Sequence, residues 1–159
     1  MPLKTVVGQD SSTSIDITIK NYGSFMETFN LTLHVNTTTL GSFENITLGT
    51  GNSITLTQVW STVGVTKGNY NMIAYVTTVA NETVVADNTY SQLMCVTILG
   101  DVDGSFEVNI YDIVIMADAY GTREGDIRFV ANGDLDCDQD LDIYDIVIAS
   151  GNYGKSCNP

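Results

Sequence analysis

Thirteen of the nineteen acidic residues of this 159-residue chain lie beyond position 99, and their spacing is that of a cation site. Asp134, Asp136, Asp138, Asp140, Asp142 and Asp145 stand at positions 1, 3, 5, 7, 9 and 12 of a twelve-residue loop. Asp101, Asp103, Ser105, Glu107, Asn109 and Asp112 stand at the same positions of a second loop 33 residues earlier. Hard divalent cations such as Ca²⁺ take six to eight oxygen ligands, and a tight loop delivers them at this spacing, with a backbone carbonyl at position 7. The chemistry implied is binding of two calcium ions, with the carbonyls of Glu107 and Asp140 as the position-7 ligands. The second loop offers five side-chain carboxylates at ligand positions and the first only three, so the second site is expected to bind more tightly. Position 6, which is usually glycine in such loops, is Phe106 in one and Gln139 in the other, which puts backbone strain at both. Position 12 is the shorter Asp rather than Glu.

The loops belong to a longer duplication. Residues 101–122 align with 134–155 at ten of 22 positions: two loop aspartates, the block Ile-Tyr-Asp-Ile-Val-Ile (110–115 and 143–148) and Tyr-Gly (120–121 and 153–154). Each unit reads as acidic loop, then helix. Val108 and Leu141, apolar at position 8, are expected to pin each loop to a core. An aspartate in the first helical turn suits the helix dipole. By helical spacing from Val108 and Leu141, Ile113, Val114, Val147 and Ile148 are expected to face that core, leaving Ile110-Tyr111 and Ile143-Tyr144 outside. Clustered carboxylates repel one another without a cation, so metal is expected to stabilise the fold itself. Zinc is not implied, because the sole histidine, His34, is distant in sequence from the three cysteines.

The residues that must position these loops begin far upstream. Ile15, Ile17 and Ile19 alternate with polar residues, as do Phe29, Leu31, Leu33 and Val35, then Tyr70, Met72, Ala74 and Val76, and finally Val96 and Ile98. Such period-two alternation buries one face of a strand. Asn21-Tyr22-Gly23, residues 49–52, Lys67-Gly68-Asn69 and Asp87-Asn88 punctuate the runs as turns. Several short strands at this spacing predict an all-β sandwich over residues 1–99, followed by a small helical part over 100–159. In the run that ends at Trp60, strict alternation turns Gln58 inward, which requires either a bulge or a place at the rim. His34 is expected to be exposed.

Charge sets the same boundary and narrows the function. Residues 1–99 carry three lysines against six acids, a net −3; residues 100–159 carry three basic residues against thirteen acids, a net −10. The total of −13 argues against binding nucleic acid or an anionic membrane. No apolar run approaches the roughly 20 residues of a membrane span, and Met1-Pro2-Leu3-Lys4 leads into polar sequence without a signal-peptide pattern. No nucleophile–base pairing and no glycine-rich phosphate loop emerges, so no catalytic residues are assigned and the chain reads as non-enzymatic. Asn30, Asn36, Asn45 and Asn81 head N-x-Thr sequons, candidate glycosylation sites that fit an extracellular protein.

Two resemblances add to this reading. The stretches Lys4–Gly8, Ile15–Gly23 and Glu27–Asn36, with Trp60, Lys67–Tyr70 and Ala86–Asn88, resemble a CARDB domain. That resemblance implies an immunoglobulin-like seven-stranded spacer or adhesion module of extracellular prokaryotic, especially archaeal, proteins. Members usually carry one more strand before the position of Lys4, so the chain is expected to start inside the domain. Residues 100–155, through Gly100-Asp-Val-Asp-Gly104 to Asp112 and Gly133-Asp-Leu-Asp136 to Asp145, resemble a type I dockerin, with two loop-helix units of the F-hand kind. This implies docking onto a cohesin-type partner on a scaffold or cell surface. The family's recognition positions fall on Ile110, Tyr111, Ala117, Asp118 and Thr122, and on Ile143, Tyr144, Ser150, Gly151 and Lys155. The hydroxyl pairs common at the first two positions are absent here, which implies an apolar and aromatic contact. Because both halves present the same pair, a partner is expected to be able to bind in either of two orientations. Antiparallel helices of a dockerin-like pair bring the tail back toward the first loop, so a Cys95–Cys157 disulfide is favoured over Cys137–Cys157, with no disulfide as the third option. Two alternatives remain. A sandwich short of a strand is open to self-assembly into an extracellular fibre or surface-layer subunit by strand complementation, or the chain is the tethering part of a larger secreted hydrolase.

Overall fold

The computed structural model describes residues 4–157. Seven strands precede the helices: β1 (Val6–Gly8), β2 (Ser12–Lys20), β3 (Glu27–Val35), β4 (Thr38–Leu48), β5 (Ser53–Ser61), β6 (Gly68–Val76) and β7 (Thr89–Thr97). They are followed by α1 (Ile110–Asp118), β8 (Thr122–Arg123), β9 (Asp140–Leu141) and α2 (Ile143–Ser150). The chain is thus mainly β with two short helices. The strands form a five-stranded sheet of order β1-β7-β6-β3-β4 and a two-stranded sheet, β2-β5. Two compact units emerge. One comprises Ser14–Trp60 and Tyr70–Leu93; the other comprises residues 4–13, Ser61–Asn69 and residues 94–157.

In the first unit the alternation of the sequence becomes the alternation of burial. Ile15, Ile17, Phe29, Leu31, Leu33, Met72 and Ala74 are buried, while Asp16, Thr18 and Thr28 between them are exposed. β3 and β4 pair antiparallel through a two-residue turn that opens with Asn36 at φ 53°, a left-handed position that asparagine tolerates. Trp60 is buried, its ring edge-on to Tyr70 at 5.8 Å between centroids. Gln58 keeps the inward parity of its strand and is half-buried. Gly41 makes the room, since a Cβ there would stand 2.3 Å from Gln58 Oε1. His34 is half-buried rather than exposed, with Nδ1 3.4 Å from Thr39 Oγ1.

Asn30 is also half-buried. Its Oδ1 accepts the Asn45 N–H at 2.8 Å across an irregularity in the β3–β4 ladder. Asn36, Asn45 and Asn81 are exposed, and all three have left-handed φ.

The second unit joins the parallel pair β1–β7, in which Val6 lies opposite Cys95 and Gly8 opposite Thr97, to the two loop-helix repeats. The repeats share a small core of Val102, Met116, Ala119, Leu141 and Ala149. Asn132 bridges these parts. Its Oδ1 accepts the N–H groups of Thr5 (2.9 Å) and Val6 (3.2 Å), and its Nδ2 donates to the carbonyl of Val102 (3.1 Å).

Candidate metal-binding loops and exposed helix faces

Both repeats are built by the same local bonds. Asp112 and Asp145 are fully buried at the third position of α1 and α2. Asp112 Oδ1 accepts the N–H groups of Val102 (2.7 Å) and Asp103 (3.3 Å), and its Oδ2 accepts that of Asn109 (2.8 Å). Asp145 does the same 33 residues on, from Leu135 (2.6 Å), Asp136 (3.4 Å) and Asp142 (2.9 Å). Each position-12 carboxylate therefore closes its own loop. Asn109 and Asp142, assigned as ligands from the sequence, also cap the helices: Asn109 Oδ1 accepts the Tyr111 N–H at 2.8 Å and Asp142 Oδ1 the Tyr144 N–H at 2.7 Å. With Asp112 and Asp145 reaching back, both caps are complete capping boxes. The signal, Asn or Asp followed three residues later by Asp, was present in the sequence.

Loop backbones match as well. Position 4 is left-handed in both (Gly104 φ 78°, Cys137 φ 66°), and so is position 6 (Phe106 φ 67°, Gln139 φ 72°). Phe106 and Gln139 carry side chains in a region that glycine occupies without cost.

Three acidic groups converge closely enough to share a cation: Asp101, Asp103 and Asp112 in the first loop, and Asp134, Asp136 and Asp138, then Asp140, Asp142 and Asp145, in the second. Ser105 turns its hydroxyl to the Glu107 carbonyl at 3.2 Å. In the first loop both oxygens of Asp101 already have donors. Oδ1 accepts from Gly104 (2.8 Å) and Ser105 (3.1 Å), and Oδ2 from Phe106 (2.8 Å) and the Thr97 hydroxyl (2.6 Å). The second loop differs. Asp134 is buried and its Oδ1 has no hydrogen-bond partner among the described residues; Asp140 Oδ1 is in the same condition. A buried carboxylate oxygen without a donor is costly, and a hard cation is the partner that oxygens in this pattern fit. The donor set therefore suits a metal ion, most clearly in the second loop.

Electrostatics point the same way. Burial pushes Asp101 above the usual carboxylate value, against the opposing Thr97 and Phe106 hydrogen bonds. Burial raises Asp134 too, opposed by the Lys4 ammonium, which donates to the Asp134 carbonyl and to Cys137 Sγ (3.2 Å). Desolvation and then neighbouring carboxylates raise Asp136 and Asp140. Arg123 lies 3.6 Å from Asp140.

The helix faces correct one expectation. Val114 and Val147, placed in the core by spacing from position 8, are 56% and 61% exposed. Helical phase is set instead by the buried carboxylate. From Asp112 the inward positions are Met116 and Ala119, four and seven residues on, and Val114 falls on the opposite side. Ile113 and Ile148 are half-buried. Each helix therefore presents the same exposed trio, Ile110, Tyr111 and Val114 on α1 and Ile143, Tyr144 and Val147 on α2. Ala117, Asp118, Ser150 and Gly151 are exposed as well, while Thr122 is buried, its hydroxyl donating to the Ala119 carbonyl.

The cysteines Cys95, Cys137 and Cys157 are free thiols in the structure, so neither candidate disulfide is formed. Burial pushes the Cys95 thiol up to about 11, with the charges of Asp101 and Cys157 adding to the effect.

No family model and no curated protein sequence matches the chain. Among solved structures, the sandwich has the fold of CARDB domains. It is similar to a CARDB domain from Pyrococcus furiosus crystallised in complex with di-metal ions, with 21% identity and a TM-score of 0.53 over 60% of this chain and 86% of that one. The solution structure of the same domain gives 24% identity and a TM-score of 0.51 over 57% and 84%. A domain from Methanosarcina acetivorans covers 60% of this chain and 83% of its own length at 23% identity, with a TM-score of 0.49.

Proposed function

We propose that the chain is a non-catalytic, calcium-dependent docking protein of a prokaryotic cell surface. Its CARDB-like sandwich acts as spacer or adhesion module. Its duplicated loop-helix part takes two calcium ions, in the manner of a dockerin, and binds a cohesin-type domain. The observation that carries the reading is the duplicated arrangement itself: two acidic loops with the same backbone turns and the same buried position-12 lock, each leading into a helix with the same exposed Ile-Tyr-Val trio. The unpartnered oxygen of Asp134 supports a cation in the second loop. The remaining exposed apolar side chains suit a protein interface of aromatic and aliphatic anchors. Secretion fits the three exposed sequon asparagines.

The test is calorimetric titration of the metal-free chain with Ca²⁺, followed by capture on a panel of immobilised cohesin domains with calcium and with chelator. Two binding events and calcium-dependent capture are expected. Failure to bind calcium would end this reading.

A second reading has one observation in its favour. Among the described residues β2 pairs with β5 alone in its sheet, so a nine-residue strand retains an edge that a strand from another copy can occupy. Self-assembly into a fibre would show as multimers of the purified chain by sedimentation.

A further inference from the structure

Two half-buried cysteines converge on the first acidic loop from opposite directions in the chain. Cys95 lies on β7 opposite Val6, and its Sγ is 4.0 Å from the point where a Cβ on Gly104 would stand. Cys157 arrives from the C-terminal side. The tail runs antiparallel to the loop: Val108 N–H donates to the Lys155 carbonyl (2.9 Å), Ser156 bridges to Glu107, and Cys157 N–H donates to the Phe106 carbonyl (2.9 Å). One thiol thus abuts residue 104 of the loop while the backbone of the other is bonded to residue 106. Cys137 stands elsewhere. It is exposed at position 4 of the second loop, against Lys4 Nζ and, at 3.8 Å, the Ser12 carbonyl.

From this convergence we propose that Cys95 and Cys157 form a redox pair that closes into a disulfide in an oxidising compartment, stapling the C-terminal tail beside the first acidic loop while Cys137 stays outside the bond. The reaction is thiol–disulfide exchange with a small-molecule or protein disulfide. One thiolate attacks a sulfur of the oxidant, forming a mixed disulfide and expelling one thiolate. The second protein thiolate attacks the protein sulfur of that intermediate and expels the other. The two protein thiols are oxidised, the oxidant's disulfide is reduced to two thiols, and those thiols take up the two protons. The ring so closed runs from residue 95 to residue 157 and encloses both acidic loops and both helices. It restricts the unfolded chain over the whole module, so the oxidised form should hold its fold at calcium levels too low for the reduced form. The inference does not depend on any docking partner.

Trypsin separates the three cysteines into three peptides, 68–123, 129–155 and 156–159. The full chain, reduced and then equilibrated with oxidised glutathione, is alkylated and mapped without reduction. Peptide 68–123 linked to 156–159, with Cys137 alkylated or carrying glutathione, is the expected result. The link should persist in full in Cys137→Ser and vanish in Cys157→Ser, a change near the chain's end. In chelator, the oxidised wild type should keep its helical circular dichroism signal at temperatures where the reduced protein loses it. A link that includes Cys137, or Cys95 and Cys157 both left without an intramolecular bond, overturns the proposal.

Discussion

The backbone N–H of Gly154 donates to the carbonyl of Val108 at 2.8 Å, and Gly121, 33 residues earlier, donates to that of Leu141 at the same distance. The exit of each helix is therefore tied to position 8 of the other loop, and the two repeats close on each other by exchange. Both glycines are left-handed (φ 76° and 79°), and a Cβ would meet nothing within 4 Å at either. Alanine at these sites is thus a clean test of backbone strain. Gly121→Ala and Gly154→Ala should each destabilise the module by about 1 kcal/mol. Chemical denaturation followed by helical circular dichroism would measure it, and a null effect would mean that the exchange does not constrain the turns.

The opposite change should stabilise. Gln139 is exposed and left-handed at position 6 of the second loop. Gln139→Gly removes that strain and loses little packing. Net of glycine's larger unfolded-state entropy, up to about 1 kcal/mol should remain, visible as a raised melting temperature and tighter calcium binding. Phe106 is half-buried, so the equivalent change in the first loop also sacrifices contacts and should gain less.

Loop asymmetry gives a metal prediction. Both oxygens of Asp101 accept protein donors, whereas Asp134 retains an unpartnered oxygen. Asp134→Ala should abolish the tighter of two calcium-binding events and leave the weaker one. The loss should exceed the roughly 10–100-fold that removal of a mere supporting residue costs. Titration calorimetry on the two proteins decides it. Retention of the tight event would assign it to the first loop.

Acidity should act in opposite directions on the metal-free and the metal-bound chain. Asp101, Asp134, Asp136 and Asp140 are all raised above the ordinary value of 3.8. A carboxylate raised on folding holds its proton better folded than unfolded, so stability is lost as the pH rises from its unfolded value through its folded one. Metal-free protein should therefore gain thermal stability as the pH falls from neutral toward the carboxylate range. Calcium competes with those same protons, so its affinity should fall over the same interval. Melting curves at several pH values, with and without calcium, should show the two trends diverging.

Much of this was legible in the sequence, for physical reasons that can be named. Strand alternation at Ile15–Ile17 and Leu31–Leu33 became burial directly, because a period-two pattern permits only one inward face. The acidic spacing marked the loop carboxylates, but the second loop gathers them as two triads, Asp134 with Asp136 and Asp138 and Asp140 with Asp142 and Asp145, and Asp140 joins by its carboxylate where its carbonyl was expected. What escaped was information carried by backbone geometry. The repeated Tyr-Gly stood out only as identity, since the cross-repeat bonds of Gly121 and Gly154 join residues distant in the chain. Val114 and Val147 were misplaced because helical phase was counted from an apolar residue in the loop. The phase is fixed by Asp112 and Asp145, buried polar side chains that hydropathy alone assigns to the surface.

That phase leads to the last prediction. Tyr111 and Tyr144 are 69% and 65% exposed, and each sits one residue after an exposed isoleucine. Substituting exposed side chains that support no buried contact usually changes stability by less than about 0.5 kcal/mol. Tyr111→Ala with Tyr144→Ala should accordingly leave the melting temperature in calcium nearly unchanged. If these faces are the docking surface, the double variant should lose about 2 kcal/mol or more of partner affinity, roughly thirtyfold in Kd, as truncation of aromatic anchors does. On that reading each single variant should retain binding through the other helix, since the duplicated trio would offer the partner a second seat. Surface plasmon resonance against a captured cohesin-type domain would separate the cases. Equal loss from one single variant and from the double would restrict docking to one helix, and no loss from the double would move the interface off these faces.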